Sequence, residues 1–268
     1  MLQAVIDNKP YDFKVITFSD GASSVVALDK LPKNIEEAVL TVKDYPADMY
    51  FTLIAQAVEI IERAAEQYVY INLRLPYLPY ARADRAFGSN YSNPLSLFFD
   101  FLEDVPIDKL TIYDPHNLQA VKDFCCLDLE VVSQLTCFNN TVNRHKDLKS
   151  FIKDCNPVIC APDTGAKEKA ATIADYYKKD LITCEKVRNP HNGYITGFKI
   201  IEGVDVAGRN VIICDDICDG GATFNIAARS LKEAGAVSVT LYVTHGIFSK
   251  GIQSLEVDAV YSYQKVNV

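Results

Sequence analysis

Two consecutive aspartates, Asp215 and Asp216, stand where an apolar run ends and a glycine turn begins, in residues 211–223 (VIICDDICDGGAT). The run from Val211 to Cys214 reads as a buried strand, and the residues after the glycines open a helix. In open α/β sheets, ligands bind outside the carboxyl ends of strands, and the free N–H groups of a helix N-terminus hold phosphate. The carboxylates are a different tool. They repel phosphate, but they accept hydrogen bonds from sugar hydroxyls and can hold Mg²⁺ through water. Strand, acidic pair, glycine turn and helix together point to a phosphorylated sugar. The same residues also make an ordinary solvated turn, where Asp and Gly are common. A second group, Lys186 and Arg188, lies in residues 184–194 (CEKVRNPHNGY), a segment rich in Asn, Pro and Gly. It reads as a mobile flap bringing positive charge or, on spacing alone, as an exposed basic loop.

Elements able to position such groups alternate along the chain. Short β-rich runs occur at 14–18, 38–42, 69–73, 109–113, 157–161, 210–214 and 237–243, with a last strand-like stretch at 259–263. Helical spacing fills 47–67, 94–102, 165–177 and 223–234. In the last of these Phe224, Ala227, Ala228 and Leu231 share a face, and Gly235 is placed to end the helix. Alternation of this kind predicts an α/β fold of mostly parallel sheets flanked by helices. A composition shift at 136–144 (TCFNNTVNR) suggests two similar halves, 1–137 and 138–268.

Hydrophobic residues make up 49% of the 268 and charged residues 23%, enough to bury a substantial core. The formal charge is −8, with no basic stripe, so no nucleic-acid partner is expected. No run approaches the ~18 apolar residues of a membrane span. The opening MLQAVIDNKP lacks a basic n-region and reaches Asp7 early, so a cytoplasmic setting is expected. Accordingly the eight cysteines, several inside apolar runs such as PVICA, are expected as reduced thiols rather than a disulfide framework.

Six segments in order along nearly the whole chain resemble the ribose-phosphate pyrophosphokinases, which make phosphoribosyl pyrophosphate from ATP and ribose 5-phosphate. They are FSDG (18–21), PYLPYARADR (76–85), DPH with Gln119 (114–119), APDTG (161–165), VAGRNVIICDD (206–216) and THGIFS (244–249). The resemblance implies two phosphoribosyltransferase-like domains: the N-terminal half on the ATP side, the C-terminal half carrying the ribose-phosphate loop and catalytic flap. It implies Mg²⁺, with ATP as co-substrate. Phe18, Asp20, Arg82, Asp84, Arg85 and His116 correspond to ATP-site positions, partly contributed by a neighbouring subunit, so a homo-oligomer (dimer or hexamer) is expected. Metal contacts fall to His116 and Asp163. Catalytic roles fall to Lys186, Arg188 and His116. Asp163, Asp215 and Asp216 would serve the ribose, and Asp219, Gly220, Gly221, Ala222 and Thr223 would wrap its 5-substituent. The chain has no G-x-x-x-x-G-K-[ST] loop: 246–251 has the glycine spacing but continues Ile252-Gln253. ATP held in another manner accounts for that.

Several positions depart from the family pattern. Gly220 stands where the family's phosphate loop has a Thr, and Ala222 where it has a Gly. Ala83 replaces a Gln, Ala86 a basic residue, and Ala22 a Glu. The chain stops soon after 259–263, so the C-terminal helix common in the family is not expected, and its loss together with the alanines near the ATP site argues against family-type regulation. A loop with fewer side-chain donors suits a phosphodiester as well as a terminal phosphate. ADP-ribose, pyrophosphorylated in NAD salvage by some phage relatives, is therefore the alternative acceptor. Two further alternatives are a phosphoribosyltransferase and a non-catalytic synthetase-associated protein. Of the remaining histidines, His145 and His191 are expected at the surface, His191 as a weak flap candidate, and His245 in a structural role.

Overall fold

A computed structural model describes residues 1–86, 88–188 and 194–267. The chain forms two compact units, residues 1–132 with Asn267, and residues 133–266. The boundary expected between 137 and 138 falls inside a helix. The unit begins instead at Ser133, whose side chain accepts from Thr136 N at 3.2 Å and caps that helix.

The first unit contains β1 (Leu2–Ile6), β2 (Lys9–Thr17), β3 (Ser23–Ala27), β4 (Glu37–Val42), α1 (Met49–Ala64), β5 (Tyr70–Leu75), α2 (Pro94–Glu103), β6 (Lys109–Tyr113), α3 (Leu118–Phe124) and β7 (Asp128–Val132). Its sheet runs β3-β2-β1-β4-β5-β6-β7. The four strands β4 to β7 are parallel, as expected of strands joined by helices. The three before them form an antiparallel extension, of which the sequence pattern announces only part of β2, at 14–18. Asp7 and Asn8, at φ 45° and 67°, make its first tight turn, a conformation Asn and Asp tolerate better than most residues. Leu2, Ala4 and Ile6 then alternate into the core, against an α1 face that buries Leu53, Ile54, Ala57, Val58 and Ile61.

The second unit contains α4 (Gln134–Arg144), α5 (Lys146–Asp154), β8 (Val158–Ala161), α6 (Lys167–Tyr177), β9 (Leu181–Arg188), β10 (Ile195–Gly203), β11 (Asn210–Cys218), α7 (Ala222–Glu233), β12 (Ser238–Gly246) and β13 (Ala259–Lys265). Its sheet runs β10-β9-β8-β11-β12-β13 and is parallel except at the β10–β9 edge. β8 and β12 are buried almost without interruption, the mark of strands covered on both faces. Cores lie on either side, one around Ile213, Leu231 and Val243, the other around Phe138, Ile212 and Tyr242. Among the described residues no helix is long and apolar enough to cross a membrane.

Lys186 and Arg188 are the last residues of a strand, β9, which pairs with β10 in an antiparallel hairpin. Residues 189–193, His191 among them, lie outside the described residues.

Candidate active site

From β8 the chain passes through α6 to β9 on one side of the second sheet. From β11 it passes through α7 to β12 on the other. The carboxyl ends of the neighbours β8 and β11 therefore flank the point where the winding reverses, the place where open α/β sheets form a crevice. Asp163 follows β8 by two residues, and Asp215 and Asp216 lie in the final stretch of β11. Their positions are fixed locally. Asp215 Oδ1 accepts from Asp216 N at 2.9 Å, and Asp216 Oδ1 from Ile217 N at 2.8 Å. Asp163 Oδ1 accepts from Ala166 N at 3.0 Å, at the start of α6, while its Oδ2 meets Lys186 Nζ at 2.5 Å. Lys186 comes from β9, the parallel neighbour of β8.

Burial pushes the Asp215 carboxyl well above the usual carboxylate range, the adjacent Asp216 adds to this, and Asp163 contributes further. Three carboxylates thus share one end of the sheet, one of them bonded to Lys186. The arrangement suits a ligand that brings hydroxyl donors and positive charge. Arg188, two residues beyond Lys186 on the strand, has the same facing by alternation and is exposed.

The glycine turn follows. Gly221 has φ +75°, and a β-carbon there would lie 2.2 Å from Leu255 Cδ2, so only glycine fits without displacing a neighbour. Ala222 and Thr223 are the first residues of α7, and its N-cap, Gly221, supplies no side-chain acceptor. Asp219 is exposed. The stem of Lys250 lies over Gly220: a β-carbon at Gly220 would sit 3.5 Å from Lys250 Cε. Nothing in the sequence pattern links these two residues.

In the first unit, Asp84 is 8% exposed and bonded on two sides. Arg85 Nε lies 3.3 Å from its Oδ1, and Asn117 Nδ2 donates to its Oδ2 at 2.6 Å. Although burial opposes it, these partners hold the carboxyl below its ordinary value. Asn117 also caps α3, accepting from Ala120 N at 3.1 Å. The structure therefore brings Asp84 and Arg85 to the residue beside His116, which is exposed. Sequence reasoning missed Asn117. An Asn before a helix is a legible cap, but a partner 33 residues away is not. Phe18 and Asp20 stand apart on the β2–β3 turn, where Asp20 Oδ1 accepts from Ala22 N at 3.0 Å and Phe18 is 55% exposed. Arg82 is exposed as well. His245 is 2% exposed, with Gln264 Nε2 at 2.8 Å from its Nδ1, a position inside the sheet.

A two-unit α/β fold with an acidic pair at a strand end and a glycine loop opening a helix defines a phosphoribosyltransferase-type architecture. The solved structure of phosphoribosylpyrophosphate synthetase from Mycobacterium smegmatis has the same fold, with a TM-score of 0.70, 22% identity, and coverage of 88% of this chain and 73% of that one. Residues 198–261 match the phosphoribosyl synthetase-associated domain. Among curated proteins, the ribose-phosphate pyrophosphokinase of Maricaulis maris (strain MCS10) is 28% identical, over 88% of this chain and 72% of its own. That of Buchnera aphidicola subsp. Schizaphis graminum (strain Sg) is 30% identical, over 87% of this chain and 70% of its own. The chain belongs to the ribose-phosphate pyrophosphokinase family.

Proposed function

We propose that the protein transfers pyrophosphate from ATP to the 1-hydroxyl of ribose 5-phosphate, giving phosphoribosyl pyrophosphate and AMP. The hydroxyl oxygen bonds to the β-phosphorus and gives up its proton to solvent. The bond from that phosphorus to the α,β-bridging oxygen breaks, and AMP leaves with the oxygen. Such transfer rests on positioning and charge stabilisation more than on covalent help from the protein. The observation that carries the reading is the Lys186–Asp163 pair beside Asp215 and Asp216 at the ends of β8 and β11.

Asp215 and Asp216 receive the ribose hydroxyls, and residues 219–223 receive the 5-phosphate on the open amides of α7. Lys186 leaves Asp163 for a phosphate oxygen, and Arg188 supplies the second positive charge. His116, framed by the Asp84–Asn117 contact, serves the ATP phosphates. The exposed Phe18 and Asp20 serve the ATP of a neighbouring subunit in a homo-oligomer. Mg²⁺, when bound, would supply neutralisation of phosphate charge. The donors fit one that arrives with the triphosphate, since Mg²⁺ commonly takes one or two carboxylates plus substrate oxygens and Asp163 offers a carboxylate here. Asp163 is the residue of the second unit that would hold it.

A second acceptor, ADP-ribose, is favoured by one observation. Gly220, Gly221 and Ala222 supply no side-chain donor to the loop, which suits a phosphodiester, with its single charge, as the first phosphate of a longer 5-substituent. AMP release from Mg-ATP, with ribose 5-phosphate and ADP-ribose in separate reactions, decides. AMP with ribose 5-phosphate supports the first reading and AMP with ADP-ribose alone the second. No AMP from folded protein with either acceptor removes both.

A further inference from the structure

Lys250 is absorbed by none of the motifs above, yet its surroundings are built around the phosphate loop. The carbonyl of Cys218, one residue before the loop, accepts from Ile247 N at 2.8 Å and from Phe248 N at 3.1 Å. Gly251 N returns to Phe248 O at 2.7 Å, closing a tight turn with Lys250 inside it. On the far side, Asn225 in the first turn of α7 donates to Ser254 O at 2.8 Å and accepts from Glu256 N at 2.9 Å. The segment is thus tied to both ends of the loop. The Lys250 stem lies across Gly220, with Cε and Cδ at 3.5 and 3.6 Å from where a β-carbon would be, so its ammonium is one bond beyond an atom packed on the loop. Among the described residues the ammonium has no carboxylate partner.

The loop itself is poor in donors. Its five residues, Asp219 to Thr223, carry one hydroxyl, one carboxylate and no cation. A phosphate there gains most from a charged donor, since N⁺–H···O⁻ bonds are about twice as strong as neutral ones. We propose that Lys250 is a binding and specificity residue of this site, its ammonium held over Gly220 to meet the phosphate on the 5-carbon of the acceptor ribose. The assignment rests on the proposed acceptor site at 219–223. The shared chemistry is a ribose 5-phosphoryl group, whether terminal as in ribose 5-phosphate or part of a diphosphate as in ADP-ribose.

The test compares wild type with K250A and K250R. Initial rates of AMP release are measured against each acceptor at saturating Mg-ATP, and acceptor binding is measured by calorimetry without turnover. Loss of a charge-assisted bond raises the acceptor KM and Kd of K250A by roughly tenfold or more. The KM for ATP holds, kcat changes by less than the acceptor KM, and K250R recovers most of the affinity. Because Lys250 is exposed, melting temperatures serve as the folding control. A loss confined to ribose 5-phosphate assigns the ammonium to a terminal phosphate, and one confined to ADP-ribose to the diphosphate. Acceptor KM and Kd in K250A within twofold of wild type overturn the role of Lys250 while leaving the acceptor site standing. A wild type that binds neither acceptor overturns both.

Discussion

Burial and the carboxylate of Asp216 push the Asp215 carboxyl upward, with Asp163 adding to it, which gives this residue a cost to the folded chain. In the unfolded chain it titrates near the ordinary ~3.9. Between that value and the raised folded one, ionisation is penalised only in the folded state. Stability is therefore lost as pH rises through this window and is fully present below it. Asp215→Asn removes the charge. Thermal melts should show it more stable than wild type near neutral pH, by a few degrees at roughly 2–4 °C per kcal/mol, with the gap closing toward pH 4. Equal gaps at both ends of that range would show that the residue's charge is not the cause. The same variant should bind acceptor less well, since an amide oxygen is a weaker acceptor for sugar hydroxyls than a carboxylate. Lys186 and Arg188 carry the opposite expectation. Removing either cation lowers kcat by about 10²–10³, by analogy with a lost oxyanion donor, with little change in melting temperature. A kcat within threefold of wild type would take the residue out of catalysis.

At the scale of elements, the loop between β11 and α7 sets the acceptor site, and Gly221 is its most constrained point. An alanine there would hold a left-handed φ of +75° and put its β-carbon 2.2 Å from Leu255. Gly221→Ala should cost about 1–3 kcal/mol and raise the acceptor KM, readable as a lower melting temperature together with weaker acceptor binding. Unchanged values of both would mean that the turn reshapes freely. This element was legible in the sequence because an apolar run, an acidic pair and two glycines each dictate local structure. The β9–β10 hairpin was not. Lys186 and Arg188 alternate with Glu185 and Val187, and the neighbouring Asn, Pro and Gly suggest a loop, so the strand is visible only through its pairing with residues 195–203. β1 and β3 escaped for the same reason. Their pattern is short, and pairing makes them strands, β1 with the distant β4 and β3 with β2 across a short turn. Lys250 and Asn117 lie further from reach still, because each acts on a residue about 30 positions away.

The whole molecule has one core in its first unit and two in its second. One draws on residues between Leu2 and Val131, and the others lie between Leu135 and Tyr261. The order of motifs along the sequence carried the family, and the alternation of strands and helices carried the architecture. The exact division did not show, since Ser133 marks it only through a cap bond. Separate cores have a consequence for unfolding. Leu73 and Leu241 are each fully buried, in the first and second unit respectively. Truncating either to alanine should cost about 2–5 kcal/mol, by lost burial plus the cavity left behind. If each unit unfolds on its own core, scanning calorimetry gives a measured enthalpy larger than the van't Hoff enthalpy. Leu73→Ala then moves one component of the transition and Leu241→Ala the other. Saturating acceptor should raise the second component, the one carrying Asp215 and residues 219–223, because binding stabilises only the state that binds. A single two-state transition, moved equally by both substitutions, would show that the two units unfold as one cooperative whole.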